Sequence, residues 1–235
     1  MTLQYNSPDH ARIEPVVLQE LIKSGEYTRP IKFIGKNHRL HDVISEAPMS
    51  TQFAISRFFV PYLVKKSVIE HRKEYDPPAK YGWAMFVDCD IMCRHNLTEL
   101  FNLVERHPEK AVFCVKHNHH VEIDNSYKKD AQVQTRYARK NWSSVMLFNV
   151  DHPSNDKLNL KLLNLRPGRD LHAFCWLKDK EIGELPLEWN WLVNVSEPCD
   201  DPAIVHFTEG GPWLHRYRDV PFADEWHANL VRWLK

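Results

Sequence analysis

The sequence predicts an α/β fold, a mostly parallel sheet flanked by helices in a single domain, and three observations carry that expectation. Apolar runs of strand length alternate with stretches of helical spacing, the order that builds parallel sheets through crossover helices. A chain of 235 residues with 43% hydrophobic and 26% charged content suits one soluble globular domain with a substantial core. The run Tyr81-Gly82-Trp83-Ala84-Met85-Phe86-Val87 leads into Asp88-Cys89-Asp90, placing two acids where a buried strand meets a loop, the edge at which open α/β sheets bind ligands.

In chain order, Thr2–Tyr5 reads as a short first strand stopped by the turn-forming Asn6-Ser7-Pro8-Asp9. Val16, Val17, Leu18, Leu21 and Ile22 have helical spacing, and Ser24-Gly25 supplies a stop. Pro30–Gly35 then reads as a second strand, which completes a β-α-β opening. Residues His38 to Met49 read as loop, and Ser50 to Pro61 as the start of an apolar helix. Arg57 interrupts that apolar run, and it suits either an ion pair with a buried acid or a cation that reaches a phosphate. The Asp76-Pro77-Pro78 loop precedes the acid-bearing strand.

Beyond Asp90, Leu97, Leu100, Phe101 and Val104 define a helix, and Ala111–Val115 a strand that ends in Lys116-His117-Asn118-His119-His120. Three His in four positions suggest a metal site or a solvated loop, since neighbours on extended chain face opposite ways. The basic segment from Lys128-Lys129 through Arg136, Arg139 and Lys140 reads as a solvated face or as a surface for an acidic acceptor. Trp142–Asn149 is a further buried strand, Asp156–Leu165 a short helix or helix pair, and Ala203–Phe207 a strand ending near His206 and followed by Gly210-Gly211. Trp226, Leu230, Trp233 and Leu234 give the last stretch, about 214–235, helical spacing; it reads as an extension packed on the domain, with a membrane-surface anchor as the other reading.

Lys plus Arg and Asp plus Glu both total 31, so no overall field attracts a polyanion, and a nucleic-acid partner is not expected. The five Cys (Cys89, Cys93, Cys114, Cys175, Cys199) have no paired metal spacing and suggest reduced thiols in a cytoplasm. The start lacks a signal-peptide pattern, and no apolar run reaches the ~18 residues of a membrane span. A cytoplasmic location is expected, with a peripheral membrane position or a host cytoplasm also open.

Asp88 and Asp90 carry the chemistry. Carboxylate oxygens are hard ligands for Mg²⁺ or Mn²⁺, ions that keep positions for substrate phosphates. The competing reading is that one Asp caps the following helix. His206 adds an imidazole, which suits Mn²⁺ better than Mg²⁺, and glycines after it let backbone approach a ligand.

In this order the motifs resemble the retaining glycosyltransferases of family eight and their bacterial and viral relatives, which have the Rossmann-like GT-A fold. Tyr5-Asn6-Ser7-Pro8-Asp9-His10 looks like the loop that holds the nucleotide base; Arg57 matches an Arg that approaches the donor phosphates; Phe86-Val87-Asp88-Cys89-Asp90 looks like the D-x-D signature. His206-Phe207-Thr208-Glu209-Gly210-Gly211-Pro212-Trp213 is similar to H-x-x-G-x-x-K-P-W, one residue shorter and without the Lys, so that Gly210 and Gly211 offer backbone N–H groups in its place. Trp142-Ser143-Ser144 stands where many members have Asn-Ser-Gly, with Asn141 one residue early, and Leu185-Pro186-Leu187-Glu188-Trp189-Asn190 resembles L-P-x-x-W-N, whose Asn lies near the active site.

The resemblance implies transfer of a hexose from a nucleotide diphosphate sugar, a UDP-sugar by preference, to an acceptor hydroxyl with retention. Asp88, Asp90 and His206 would hold Mn²⁺ or Mg²⁺; Tyr5, Asn6, Ser7, Arg57, Asp88, Gly210 and Gly211 would bind the donor; Asp88, Asp90 and Asn190 would serve catalysis. Retention in this family is usually described by a front-face mechanism, and Asp179, Glu188 and Glu209 remain equivalent acids near the motifs. The acceptor is a glycan, a lipid-linked sugar or a protein, and the oligomeric state is open. The other function classes are an aspartate-dependent phosphohydrolase, with Asp200-Asp201 as its downstream pair, and a nucleotide-sugar or glycan-binding module without turnover.

Overall fold

The computed structural model describes residues 2–7, 11–35, 39–72, 80–118 and 139–235. Pro8, Asp9, His10, His38, the Asp76-Pro77-Pro78 loop, His119, His120, Lys128, Lys129 and Arg136 therefore lie outside the described residues.

The elements run α1 (Thr2–Asn6), α2 (Leu18–Lys23), β1 (Ile31–Ile34), β2 (Arg39–Asp42), β3 (Ala47–Pro48), α3 (Phe53–Ser56), α4 (Val60–Glu70), β4 (Trp83–Val87), β5 (Ile91–Cys93), α5 (Leu97–Glu105), β6 (Val112–Cys114), β7 (Val145–Asn149), α6 (Leu160–Leu165), α7 (Gly168–His172), β8 (Ile182–Glu184), β9 (Trp191–Leu192), β10 (Ile204–His206) and α8 (Ala223–Trp233). A 3-10 turn, Arg57–Phe59, joins α3 to α4. Pro61, at the start of α4, has no N–H to give the Arg57 carbonyl, which is why the regular ladder breaks there.

The α/β architecture is present, with helices on both sides of the central sheet. Strand direction departs from expectation. The central sheet has the order β4-β7-β6-β8, and β7 runs antiparallel to both neighbours. Among the described residues only β6 with β8 and β9 with β10 pair in parallel. A smaller sheet, β5-β10-β9, follows it. Apolar content alone marks a strand as buried; it does not say which way its partner runs.

The expected β-α-β opening is replaced by two other structures. Residues 2–6 form a helical turn in place of the first strand; β1 stands where the second strand was expected, but in an antiparallel meander with β2 and β3, which lie inside the segment expected to be loop. Only four residues separate β1 from β2, too few for the crossover that a parallel pair needs. At α1 the side chains do the bonding a strand would have done: Thr2 Oγ1 accepts from Cys93 N (3.0 Å) and Asn6 Nδ2 donates to Cys93 O (3.0 Å), which covers the edge of β5.

The core explains which strands are buried. Val112, Cys114, Met146 and Phe148 face one cluster with α2, α3 and α6, while Phe113, Val145 and Leu147 face another with α5. With a side-chain period of two, burial on both faces requires the unbroken apolar run Val-Met-Leu-Phe of β7. β4, expected to be buried on both faces, is the edge strand and only Phe86 in it is buried. Behind the small sheet, Met92, Trp191, Val193, Val205 and Phe207 form a third cluster on which Trp226 of α8 packs.

Arg29 ties the meander to the helices. Its Nε donates to Asp42 Oδ1 at 3.0 Å, and Nη1 donates to the carbonyls of Leu163 (2.8 Å) and Arg166 (2.7 Å), with both side chains of the ion pair buried. Burial alone would raise the Asp42 pKa; hydrogen bonds from Arg29 and Ser45 outweigh it and hold the carboxyl below the usual range. Arg29→Ala leaves that charge enclosed without its cation, and urea unfolding should show a loss of roughly 3–5 kcal/mol. Because the folded pKa is depressed, the contribution of Asp42 is full above its unfolded pKa and is lost as pH falls through the folded value. The deficit of Arg29→Ala should therefore shrink below about pH 4.

Candidate active site

The chain leaves the central sheet at Val87 and enters the small sheet at Ile91, so Asp88-Cys89-Asp90 forms the corner between the two. Neither Asp caps the next helix. Asn96 does, its side chain accepting from Thr98 N at 2.9 Å. β10 pairs antiparallel with β5, with His206 opposite Ile91, and Phe207 N donates to Asp90 O at 2.9 Å. That register places the imidazole beside the corner.

His206 Nε2 lies 3.4 Å from Asp90 Oδ1 and 4.0 Å from Asp88 Oδ2. One ligand atom from each of the three residues falls within 4.8 Å of the others. An ion bonded at about 2.1 Å spaces adjacent octahedral ligands at about 3 Å and opposite ones at about 4.2 Å, so this triangle fits a divalent cation. The donor set, two carboxylates and an imidazole, suits Mn²⁺ better than Mg²⁺.

Arg57 stands against this group. Its Nη2 is 3.0 Å from Asp88 Oδ1, Nη1 donates to Ser143 O (2.8 Å) and Nε donates to Phe53 O (3.2 Å). The Phe53 and Phe86 rings lie 5.3 and 5.1 Å from the guanidinium carbon, a desolvated setting in which cation–π attraction is strongest. The buried-ion-pair reading of Arg57 is realised, and its acid is Asp88.

Asn190 is fully enclosed and lies behind His206. His206 Nδ1 lies 3.0 Å from Asn190 Oδ1, and Asn190 Nδ2 donates to Ser144 Oγ at 2.9 Å and meets His117 Nε2 at 3.0 Å. It therefore reaches the triangle through His206, not by facing a ligand. His117 is engaged in this inner network and is not part of a solvated His-rich surface.

The remaining expected residues make other contacts in the structure. Asn6 binds the backbone at Cys93, and Tyr5 sits under Arg232 of α8, 4.5 Å from its guanidinium carbon, while Ser7 follows the end of α1. Gly210 N donates to Phe207 O at 2.9 Å, so its amide serves a turn. A Cβ on Gly210, at φ +144°, would lie 2.5 Å from the Tyr217 ring, and one on Gly211 would lie 2.0 Å from Trp213. Close ring packing is thus a sufficient reason for both glycines. Asp179 is an exposed partner of Arg139 (2.5 Å), and Asp201 is bound at the surface by Arg94 (2.8 Å) and His95 (3.1 Å).

Sequence reasoning missed the roles of Ser143, Ser144 and His172. Asp88 N donates to Ser144 O (2.9 Å), and Ser143 Oγ lies 2.7 Å from His172 Nδ1. The sequence signals were a polar Ser pair set directly before the apolar run of β7 and its position where the resembled family has Asn-Ser-Gly. His172 packs edge-on to Phe58 at 5.1 Å; burial first, then the charge of Arg57, pushes its pKa down to about 3.

No protein-family model matches the chain. Protein CDI of Arabidopsis thaliana is 37% identical over 228 residues, 95% of this chain and 76% of that protein. Among solved structures the chain is similar to apo WbbM, a bifunctional glycosyltransferase, with a TM-score of 0.49 and 17% identity over 80% of this chain, and it spans 37% of that chain. It is also similar to apo mouse xyloside xylosyltransferase 1 (0.38, 15%, 65% of this chain, 64% of that one). The galactosyltransferase LgtC, in complex with donor and acceptor sugar analogs, gives 0.40 and 13% over 76% of this chain and 66% of that one.

The depressed pKa of His172 sets a pH dependence. The folded protein keeps it neutral, whereas the unfolded chain protonates it near 6.5, so its stabilising contribution is full above that value and falls as pH drops from 6.5 toward 3. In denaturant titrations between pH 7.5 and 4.5, His172→Asn should lose stability with a slope shallower by about one proton than the wild type.

Proposed function

The chain belongs to the same family as Arabidopsis thaliana Protein CDI, and, because it builds an Asp-Asp-His triangle within an order of motifs that resembles the family-eight enzymes, we propose that it is a retaining GT-A glycosyltransferase. Its donor is a nucleotide diphosphate sugar, preferentially a UDP-sugar, and its acceptor presents a hydroxyl. One observation carries this reading: Asp88, Asp90 and His206, 118 residues apart at the furthest by number, turn their ligand atoms to one point with Arg57 alongside.

Asp88, Asp90 and His206 would hold Mn²⁺ or Mg²⁺. The chemistry such an ion supplies when bound is Lewis acidity toward a leaving diphosphate. The chain's own residues do the rest. Arg57 holds the Asp88 carboxylate in place and contributes fixed positive potential in a water-poor corner, worth more there than in solvent. The Ser144 carbonyl holds the Asp88 backbone, so the corner is set before a donor arrives and little reorganisation is left for the reaction. Nucleotide binding away from the reacting carbon serves to orient the sugar toward the acceptor.

Melting curves with a panel of nucleotide sugars test the reading. With Mn²⁺ and a UDP-sugar at 100-fold over Kd, the gain should be about 2.7 kcal/mol, or roughly 5–10 °C for a domain of this size. The shift should vanish with chelator and in Asp90→Ala, and Arg57→Ala should lower transfer by at least about 100-fold. If no nucleotide sugar shifts the melting temperature, or if the shift survives chelator and Asp90→Ala, the proposal fails.

A further inference from the structure

We propose that Ser144 is a positioning residue which, through Asn190, fixes the imidazole tautomer of His206 so that Nε2 presents a lone pair to Asp88 and Asp90. The inference rests on the reading of these three residues as a divalent-ion site, and it concerns what makes His206 able to take part.

The polarity starts at a backbone carbonyl. Ser144 Oγ donates its single proton to Asn141 O at 2.6 Å, a group that can only accept. Asn141 has left-handed backbone, φ 64°, where Asn is among the side chains best tolerated, and it opens the 3-10 turn Trp142–Ser144. With its proton committed, Ser144 Oγ is an acceptor toward Asn190 at 2.9 Å, so the amide must turn its Nδ2 that way. Nδ2 also lies 3.0 Å from His117 Nε2 and donates to Asn141 O at 3.5 Å, a carbonyl that holds the amide in the same orientation.

Asn190 Oδ1 is thereby aimed at His206 Nδ1, 3.0 Å away, and an amide oxygen can only accept. Nδ1 must then carry the proton of the neutral ring. A neutral imidazole has one N–H, so Nε2 is bare on the side where it lies 3.4 Å from Asp90 and 4.0 Å from Asp88. The opposite amide orientation would put N–H on Nε2, a donor to the carboxylates and no ligand for a cation. Asn190 and His206 are 0% and 2% exposed, which leaves no solvent to exchange the bonds. The position of one hydroxyl proton thus propagates over three bonds to the metal-facing nitrogen, and outer partners of this kind orient a ligating imidazole.

The test reads the tautomer in metal-free protein. Long-range proton–nitrogen spectra of ¹⁵N-labelled protein near pH 8 report which ring nitrogen bears hydrogen, and loss of one signal set in His206→Gln assigns it. The expected result is Nδ1 protonated and Nε2 bare in the wild type, a mixed or reversed tautomer in Ser144→Ala, and the wild-type pattern in Ser144→Thr, which keeps the hydroxyl. Mn²⁺ titrated against each protein and followed by its free-ion paramagnetic resonance should bind about tenfold or more weakly to Ser144→Ala, with recovery in Ser144→Thr. A wild-type His206 with its proton on Nε2 overturns the proposal even if Ser144→Ala does not fold. So does a Ser144→Ala protein whose His206 tautomer matches the wild type. Should the tautomer behave as expected while the wild type binds no Mn²⁺, with or without a UDP-sugar, the relay stands and the metal-dependent reading of the site fails.

Discussion

The register of β10 on β5 is the constraint on which the candidate site depends. Opposite positions in an antiparallel ladder alternate faces, so a slip of one residue would exchange His206 for Val205 or Phe207 at the corner. Val205 and Phe207 are held by the apolar cluster behind the small sheet, with Met92, Trp191 and Val193. Burying them commits His206 to the opposite face. The chemistry of the front is thus decided by hydrophobic burial at the back, and the bond from Phe207 N to Asp90 O (2.9 Å) extends the pairing to the acid itself.

The second support is the turn from Asn141 to Ser144. A short helical turn leaves its last carbonyls without partners inside it. Here Ser143 O accepts from Arg57 and Ser144 O accepts from Asp88 N, while the Ser144 hydroxyl accepts from Asn190. One turn therefore holds the cation, the first acid and the residue behind the imidazole. These links reach 86, 56 and 46 residues along the chain, and each spans a pair of elements that only tertiary packing brings together.

What was legible in the sequence was local. Asp88 and Asp90 stand out because acids at a strand end pack poorly; Leu97, Leu100, Phe101 and Val104 mark a helix by their spacing; Arg57 is conspicuous inside an apolar helix. All appear at the expected places. Strand direction was not legible, because an apolar run is the same whether its neighbour is parallel or antiparallel, and the meander of β1–β3 arose where turns were strong and hydrophobic signal weak. Gly210 and Gly211 suggested a phosphate loop, but the same residue type answers a packing need when rings of Tyr217 and Trp213 press on the backbone. Ser144 stood at a motif position, but its role was not legible there, since that role lies in which single proton it has to give. Asn190 was identified through its motif, yet only its enclosure shows that it addresses His206.

The outer surfaces of β5 and β10 are covered by the two ends of the described chain, which bears on how the corner keeps its shape. α1 covers the free edge of β5 through Thr2 and Asn6. At the other end of the strand Arg94 donates from Nε to Glu225 of α8 (3.0 Å) and from Nη1 to Pro202 O (2.7 Å), with its guanidinium 4.8 Å from the Phe222 ring. Arg232 of the same helix lies over Tyr5. Each contact is partly exposed, and surface pairs of this kind contribute little singly. Their geometry gives them a different value: they bind β5 to elements at the beginning and end of the chain, so that the short three-residue strand carrying Asp90 toward His206 is flanked on every side by structure it could not supply from its own few ladder bonds. A three-residue strand is weak alone, and its register is only as secure as the packing around it.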